Sequence, residues 1–259
     1  MSSHFDQYRK ELSEANLSSV EDLENLIKPL IRSATKIEVK KAAKPLENTS
    51  LLSHFGGNPY FEKGEEWPEA KNGKHLDFIF QIYNNGEINL PGNIKLVQFF
   101  YDWEAFPWDT NDDGWLVKTY TTLNTAQMVK IEKPTELEVS SYCEVTFTTV
   151  PSLPDWEGLE IYSRHASNLS CILNEDEPWG SYQNAVEKLI GEQDYRSQIG
   201  GYPNWVQGEA TPLRGIEPMK LLFQIDSEEQ AGLMWGDVGL IYVFYDKTTE
   251  EAEFTLQCH

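Results

Sequence analysis

Basic residues are scarce in this chain. Against 42 Asp and Glu stand only 21 Lys and Arg, a formal net charge of −21. A field of that sign repels phosphate backbones and anionic lipid headgroups, which argues against nucleic acid and membrane surfaces as partners. It speeds encounter with a basic protein or a cation. Cysteine is scarce as well. Cys143, Cys171 and Cys258 are odd in number, far apart and without a C-x-x-C pair, which fits neither a disulfide framework nor a zinc site. Long apolar runs are missing: Met1 to Lys10 is polar, and nowhere do about 18 apolar residues follow one another, the length a membrane span needs. The expectation is a reduced, cytoplasmic protein.

Signatures of known chemistry are also absent. There is no Gly-x-Ser-x-Gly elbow, no G-x-x-x-x-G-K-[ST] loop and no G-x-G-x-x-G after a strand, so neither a hydrolase nucleophile nor a phosphate cradle can be read. The histidines are His4, His54, His75, His165 and His259. A site assembled in space from His165 with Cys143 or Cys171 stays open as an alternative. Acidic pairs such as Glu65-Glu66, Glu228-Glu229 and Glu250-Glu251 read as solvated loops, because carboxylates this abundant fall together by accident.

What the chain does have is aromatic residues and repetition. Aromatics make up 12%, with 8 Trp and 12 Tyr, enough for a packed, strand-rich globule. Gly56-Gly57-Asn58-Pro59 returns as Gly200-Gly201-Tyr202-Pro203, 144 positions later. Gly64-Glu65 returns as Gly208-Glu209, Pro68 as Pro212, and Phe100-Tyr101-Asp102 as Phe244-Tyr245-Asp246 at the same offset. Phe80-Gln81-Ile82 returns as Phe223-Gln224-Ile225 one position short of it. Ordered matches at a nearly constant offset indicate a duplication.

Each copy opens on a Gly-Gly-x-Pro turn, runs through a polar loop and enters two near-continuous apolar strands. These are Phe78–Tyr83 and Lys95–Tyr101 in the first copy, Leu221–Asp226 and Gly239–Tyr245 in the second. Strands apolar on both sides are buried on both sides. The fold expected is α+β: a duplicated β-rich unit whose two pseudo-symmetric halves pack together, with N-terminal helices. The organisation is 1–50 for the helices and an edge strand, 51–149 for the first unit and 150–259 for the second, in one globule.

Outside the repeats, Ser18-Ser19-Val20-Glu21 resembles a capping box ahead of Leu23, Leu26, Ile27 and Leu30, predicting a helix over 19–31 that Pro29 kinks or shortens. A weaker helix is predicted over 5–15 and a clear one over 181–193. Lys36–Lys41 alternates as an edge strand does. Strands are predicted over 115–120, 142–150 and 254–258.

These signatures also resemble a family. Gly56-Gly57-x-Pro59, Trp67-Pro68, Phe78-x-Phe80-Gln81-Ile82 and Gln98-Phe99-Phe100 look like the bacterial YwqG-like family. The second half is more similar still, through Gly201-Tyr202-Pro203 with Gln207, Leu221 to Asp226, Met234-Trp235-Gly236-Asp237-x-Gly239 and Leu256-Gln257-Cys258. The resemblance covers the chain from about Leu51 onward. It implies a duplicated α+β fold in a bacterial cytoplasm, and no cofactor, catalytic group or substrate carries over.

Three groups of residues stand out as candidates. Asp109, Asn111 and Asp113, with Gly114, match the opening of a calcium loop, where alternate oxygens face the ion. The closing Glu is replaced by Tyr120, and a polar turn reads equally well. Gln81 and Gln224 each interrupt an apolar strand, and a buried amide must be satisfied. Either each bonds the backbone of a neighbouring loop, its own Gly-Gly-x-Pro turn included, or both face a ligand cleft between the halves. Trp235, Gly236 and Asp237 form a third candidate, an indole and a carboxylate beside a tight turn, suited to recognition or to anchoring a strand; Gln207 and Asp226 join the expected partner-binding residues. The function expected is binding without catalysis or cofactor, possible calcium aside. In its sharper form, this is an acidic immunity-type protein that neutralises a basic toxin. The rival is an enzyme with a spatially assembled site for a small molecule or peptide.

Overall fold

The computed structural model describes residues 4–45, 51–88, 90–135 and 141–259; parts of the 1–50 stretch fall outside them. The helices in chain order are α1 His4–Glu14, α2 Val20–Ile27, α3 Leu159–Tyr162, α4 Arg164–Leu173 and α5 Pro178–Ile190. The first strands are β1 Arg32–Lys41, β2 His54–Phe55, β3 Phe61–Glu62, β4 Asp77–Tyr83, β5 Leu96–Tyr101, β6 Trp115–Tyr120 and β7 Met128–Val129. Then come β8 Cys143–Ser152, β9 Gln198–Gly200, β10 Leu213–Arg214, β11 Glu217–Pro218, β12 Lys220–Asp226, β13 Leu240–Asp246 and β14 Glu251–Gln257. β3 pairs with β7 and β10 with β11; the others form one ten-stranded antiparallel sheet in the order β14-β13-β12-β9-β1-β8-β2-β4-β5-β6.

The apolar strands are buried on both faces, as their composition predicts. Phe80, Ile82, Val97 and Phe99 from one flank meet Phe223, Ile225, Ile241 and Val243 from the other in one interior cluster. Phe80 lies edge-on to Phe223 at 5.0 Å, and Phe99 stacks on Phe254 at 5.9 Å. The outer faces are covered by loops: Phe78 and Phe100 pack with Phe61 and Trp67, and Leu221, Tyr242 and Phe244 with Trp205. The sheet curls until its edges approach. Leu256 of β14 donates to Trp108 O at 2.8 Å, and Thr110 Oγ1 both receives from Phe254 N and donates to Phe254 O. The ladders carry matching irregularities, a bulge between Phe78 and Phe80 in β4 and another between Leu221 and Phe223 in β12.

Lys36–Lys41 belongs to a central strand, not an edge. β1 pairs with β8 along its whole length, from Arg32 opposite Ser152 to Lys41 opposite Cys143, and with β9 on its other side. The alternation records an open face: Glu38 and Lys40 are exposed while Ile37 is buried and Val39 packs on the interior cluster. The predicted capping box also sits one residue later. Ser19 Oγ accepts from Asp22 N at 3.2 Å, and the Asp22 carboxylate accepts from Ser18 N and Ser19 N, both at 2.9 Å. α2 ends at Ile27, and Lys28–Leu30 tightens into a 3₁₀ turn around Pro29.

The helices form a second core from Leu12, Leu23, Ile27, Leu159, Leu169, Tyr182 and Val186. α4 was not legible because its buried face includes Asn168 and Ser170, which break the apolar period. No described helix is long and apolar enough to cross a membrane.

Gly201 shows how tightly the turns are held. It has φ +71, and a Cβ there would lie 2.7 Å from Ala34 Cβ and 2.8 Å from Ser152 Oγ. Strain and overlap together should make Gly201→Ala destabilising by about 2–5 kcal/mol. A urea titration reads this directly, and a midpoint equal to wild type would contradict it.

Candidate functional site

The two strand glutamines settle first. Gln81 Oε1 accepts from Tyr60 N at 2.9 Å and its Nε2 donates to Leu52 O at 2.8 Å. Gln224 Oε1 accepts from Asn204 N at 2.9 Å and its Nε2 donates to Arg196 O at 2.5 Å. Both are fully buried. Their strand neighbours Phe80, Ile82, Phe223 and Ile225 point to the interior, so both amides point outward, beneath the loop that carries their own Gly-Gly-x-Pro turn. Each fastens the two ends of that loop to the sheet. They do not share a cleft between the halves.

Trp235 is likewise fully buried. Its Nε1 donates to Asp226 O at 3.1 Å, its backbone N–H donates to Ser227 Oγ at 2.9 Å, and its ring stacks on Trp103 at 4.8 Å. The indole therefore anchors the entry to β13 and offers no surface to a partner. Gly236 has φ +61 with Cys258 Sγ 2.9 Å from the place a Cβ would take. Asp237 is exposed, and its carbonyl accepts from His259 N at 3.0 Å. Gln207 reaches the same terminal segment, donating to Cys258 O at 2.6 Å. The structure thus gathers Gln207, Asp226, Trp235, Gly236 and Asp237 around the last residues of the chain and leaves Gln81 in the other half. Burial raises the Asp226 pKa, and Arg196, 3.9 Å away, opposes the shift.

The carboxylates of the Asp-rich loop accept from backbone amides, two within the loop and one outside it. Asp109 Oδ1 accepts from Asn111 N at 2.7 Å, Asp112 Oδ2 from Trp108 N at 2.8 Å, and Asp113 Oδ2 from Lys71 N at 2.9 Å. Among the described residues, no group of three or more His, Cys, Asp and Glu is placed to hold a metal ion. His165 is exposed on α4, beside Glu11, Glu14 and Arg164 in a depression of about 430 Å³. Burial pushes the Cys143 and Cys171 thiols up, which disfavours the thiolate a nucleophile needs.

Two features escaped sequence reasoning. The first is Asp155, between β8 and α3. Its Oδ2 accepts from Trp205 N at 2.6 Å and its Oδ1 from Gly158 N at 2.8 Å. Glu209 Oε2 accepts from Trp205 Nε1 at 3.0 Å. A Cβ on Gly158 would lie 2.7 Å from Glu209 Oε2 and 3.4 Å from Asp155 Oδ1, so the two carboxylates crowd one point. Burial raises the Asp155 pKa to about 7, with Glu209 and Glu157 adding to it against the two backbone amides. Nearby, the Arg32 guanidinium lies 4.1 Å from the Tyr202 ring and 5.2 Å from that of Tyr162. A carboxyl poised at neutral pH can give or take a proton, but no cavity described here is lined by Asp155 or Glu209. The repeat already marked Glu209, whose counterpart Glu65 instead pairs with Lys118 at 2.8 Å.

The second feature is a groove of about 610 Å³ between the chain entering β2 and the flank of β8. Leu51, Leu52, Tyr83, Tyr142, Val145 and Phe147 give it apolar walls, and its charged lining residues are Glu87 and Glu144. No motif marks it, because it arises from where a strand pairing stops.

Two measurements check these assignments. Gln224→Leu orphans a buried N–H and a carbonyl, and should cost about 2–5 kcal/mol in urea unfolding. Gln81→Leu should cost a similar amount; near-neutral effects at both would return the amides to a ligand role. Asp155 has its folded pKa raised from 3.8 to about 7, so the native state binds the extra proton between those values. Its contribution is therefore full at low pH and is lost as pH rises toward 7. Stability of wild type relative to Asp155→Asn should fall across that window; a constant difference would show an ordinary carboxylate.

Residues 53–253 match a domain of unknown function, DUF1963. The match spans most of the chain, and the chain belongs to that family. No curated protein matches it.

Proposed function

We propose that this member of the DUF1963 family is a non-catalytic binding protein for a basic polypeptide, acting in the cytoplasm of a bacterium. The observation that carries the reading is the groove beside β8, which combines apolar walls with Glu87 and Glu144 and no Lys or Arg in its lining. The excess of 42 acidic over 21 basic residues extends that field over the molecule and steers a cationic partner toward it. Three free cysteines suit a reducing compartment. The motifs from Met234 to Gly239 support placement among YwqG-like proteins. Neutralisation of a basic toxin, as an immunity protein does, is the sharpest form of the reading.

The scaffold under this proposal is two copies of one unit, related by a pseudo-twofold axis through the β1–β8 ladder, with 51–149 and 150–259 as their cores. Shared bonds support it. His54 Nδ1 meets Gly56 O at 2.6 Å, and Gln198 Nε2 meets Gly200 O at 3.1 Å, each the first glycine of its turn. Gln98 donates to Tyr60 O at 2.8 Å, and Tyr242 to Asn204 O at 2.8 Å. The side chains differ while the bonded carbonyls correspond.

One observation favours the rival enzyme reading: the Asp155 carboxyl beside Glu209, poised near neutrality. It gives a proton-transfer group held under the Trp205 backbone.

The test is capture from native lysate at low salt, wild type beside a Glu87→Lys, Glu144→Lys double variant. A basic protein should be held by wild type, released by a few hundred millimolar salt, and held at least roughly tenfold less by the variant. An acidic partner, or capture indifferent to both salt and variant, would count against the proposal.

A further inference from the structure

The β1–β8 ladder has a fixed hydrogen-bond phase. Ala42 N donates to Tyr142 O at 3.1 Å. Stepping by two along the register, Lys40 with Glu144, Glu38 with Thr146 and Lys36 with Thr148 exchange bonds within the ladder. The alternate residues of β8, Val145, Phe147, Thr149 and Pro151, therefore turn their backbone groups away from β1. Two bonds outside the ladder agree with this phase. Ile37, opposite Phe147, sends its N–H outward to Ser197 O at 2.9 Å, and Pro151 O receives the Tyr195 hydroxyl at 3.0 Å.

On that outward flank β8 meets β2 at Cys143 and Glu144. Since Glu144 turns its backbone groups to β1, the pairing with β2 continues to Ser53 opposite Val145; beyond that, among the described residues, no strand pairs with Phe147 or Thr149. The matching flank of β1 is occupied at more points: β9 pairs with residues 34–36, Ser197 takes the Ile37 amide, and the Gln230 side chain takes Lys41 N at 3.4 Å. An open strand edge invites an added strand. Here it lies along the groove of about 610 Å³, whose apolar walls suit alternate side chains. The adjoining acids are Glu87, Glu144 and Glu38; Lys36 is tied to Glu38 at 3.2 Å, and Lys40 stands across the ladder from Glu144.

We infer that the outward edge of β8 from Phe147 to Thr149 accepts an extended segment of a basic polypeptide as an added antiparallel or parallel strand, apolar side chains in the groove and cationic ones toward Glu87 and Glu144. The inference rests on the binding reading above and names its mode. Backbone pairing supplies affinity, and the acidic rim selects lysine- or arginine-bearing strands.

The probe is a synthetic octapeptide alternating lysine with valine or threonine, together with two versions N-methylated on its odd or its even residues. Fluorescence anisotropy should show binding of the parent and of one methylated register, with the other lost. Hydrogen exchange at Phe147 and Thr149 should slow on binding. Thr149→Pro removes one outward N–H at an exposed position, in a strand that already carries Pro151 on the same flank; it should weaken the peptide roughly fivefold to tenfold. Equal binding of both methylated registers, no binding of the parent, or a concentration-dependent dimer that hides these amides would overturn the inference. If lysate capture stays salt-sensitive while Thr149→Pro and competing peptide leave it unchanged, the edge assignment fails and the binding reading stands. If the peptide binds in one register but no basic protein is captured, the edge assignment stands and the binding reading fails.

Discussion

The ladder between β1 and β8 turns two flanking sheets into one. Its ten-residue register, Arg32 opposite Ser152 through Lys41 opposite Cys143, is the longest pairing in the sheet, and the short strands β2 and β9 only graft the flanks onto it. Because the flanks hang from a common centre, they curl toward each other and their inner faces meet. The aromatic interior around Phe80, Phe99, Phe223 and Trp235 follows from that curl. So does the approach of β14 to the loop before β6. The ladder also sets which backbone groups of β8 face inward and which face out.

The short strands need outside help to hold their place. β2 and β9 contribute few ladder bonds of their own, and the loops after them would otherwise be free to lift. Gln81 and Gln224 provide the fastening from below, each spanning the base of its loop with one acceptor and one donor. Satisfied amides in a dry environment are costly to break, which makes these two side chains part of the architecture even though they read as interruptions in an apolar pattern.

Much of the scaffold was legible because burial leaves a simple imprint. Leu96–Tyr101 and Leu240–Asp246 are apolar at nearly every position and are buried at nearly every position. Trp115–Tyr120 was placed to the residue. Where burial is mixed, legibility fell. The face pattern of Lys36–Lys41 is the same for an edge strand and for a central strand with one wet side, so topology could not be read from it. α4 buries Asn168 and Ser170 and lost its period. The candidate site was harder still. Trp235 looked like a recognition residue because sequence carries no sign of depth. Asp155 was invisible because its perturbation comes from Trp205, Gly158 and Glu209, distant in the chain or unremarkable in type. The groove beside β8 is created by a pairing that ends early, which no single residue announces.

The same central ladder has a consequence for how the chain is made. β1 is complete once Lys41 has been synthesised, yet its partners β8 and β9 lie at Cys143–Ser152 and Gln198–Gly200. During vectorial synthesis the first strand therefore waits, unpaired on both edges, until most of the polypeptide has left the ribosome. Contacts this distant in sequence slow folding and prolong exposure of strand edges. Lys36, Lys40 and Lys41, with Glu38 between them, line that waiting segment, and charges on a bare strand keep it from joining another nascent chain. The charges that pair across the wet face of the finished sheet, Lys36 with Glu38 and Lys40 opposite Glu144, are the same ones that guard the strand before its partners arrive.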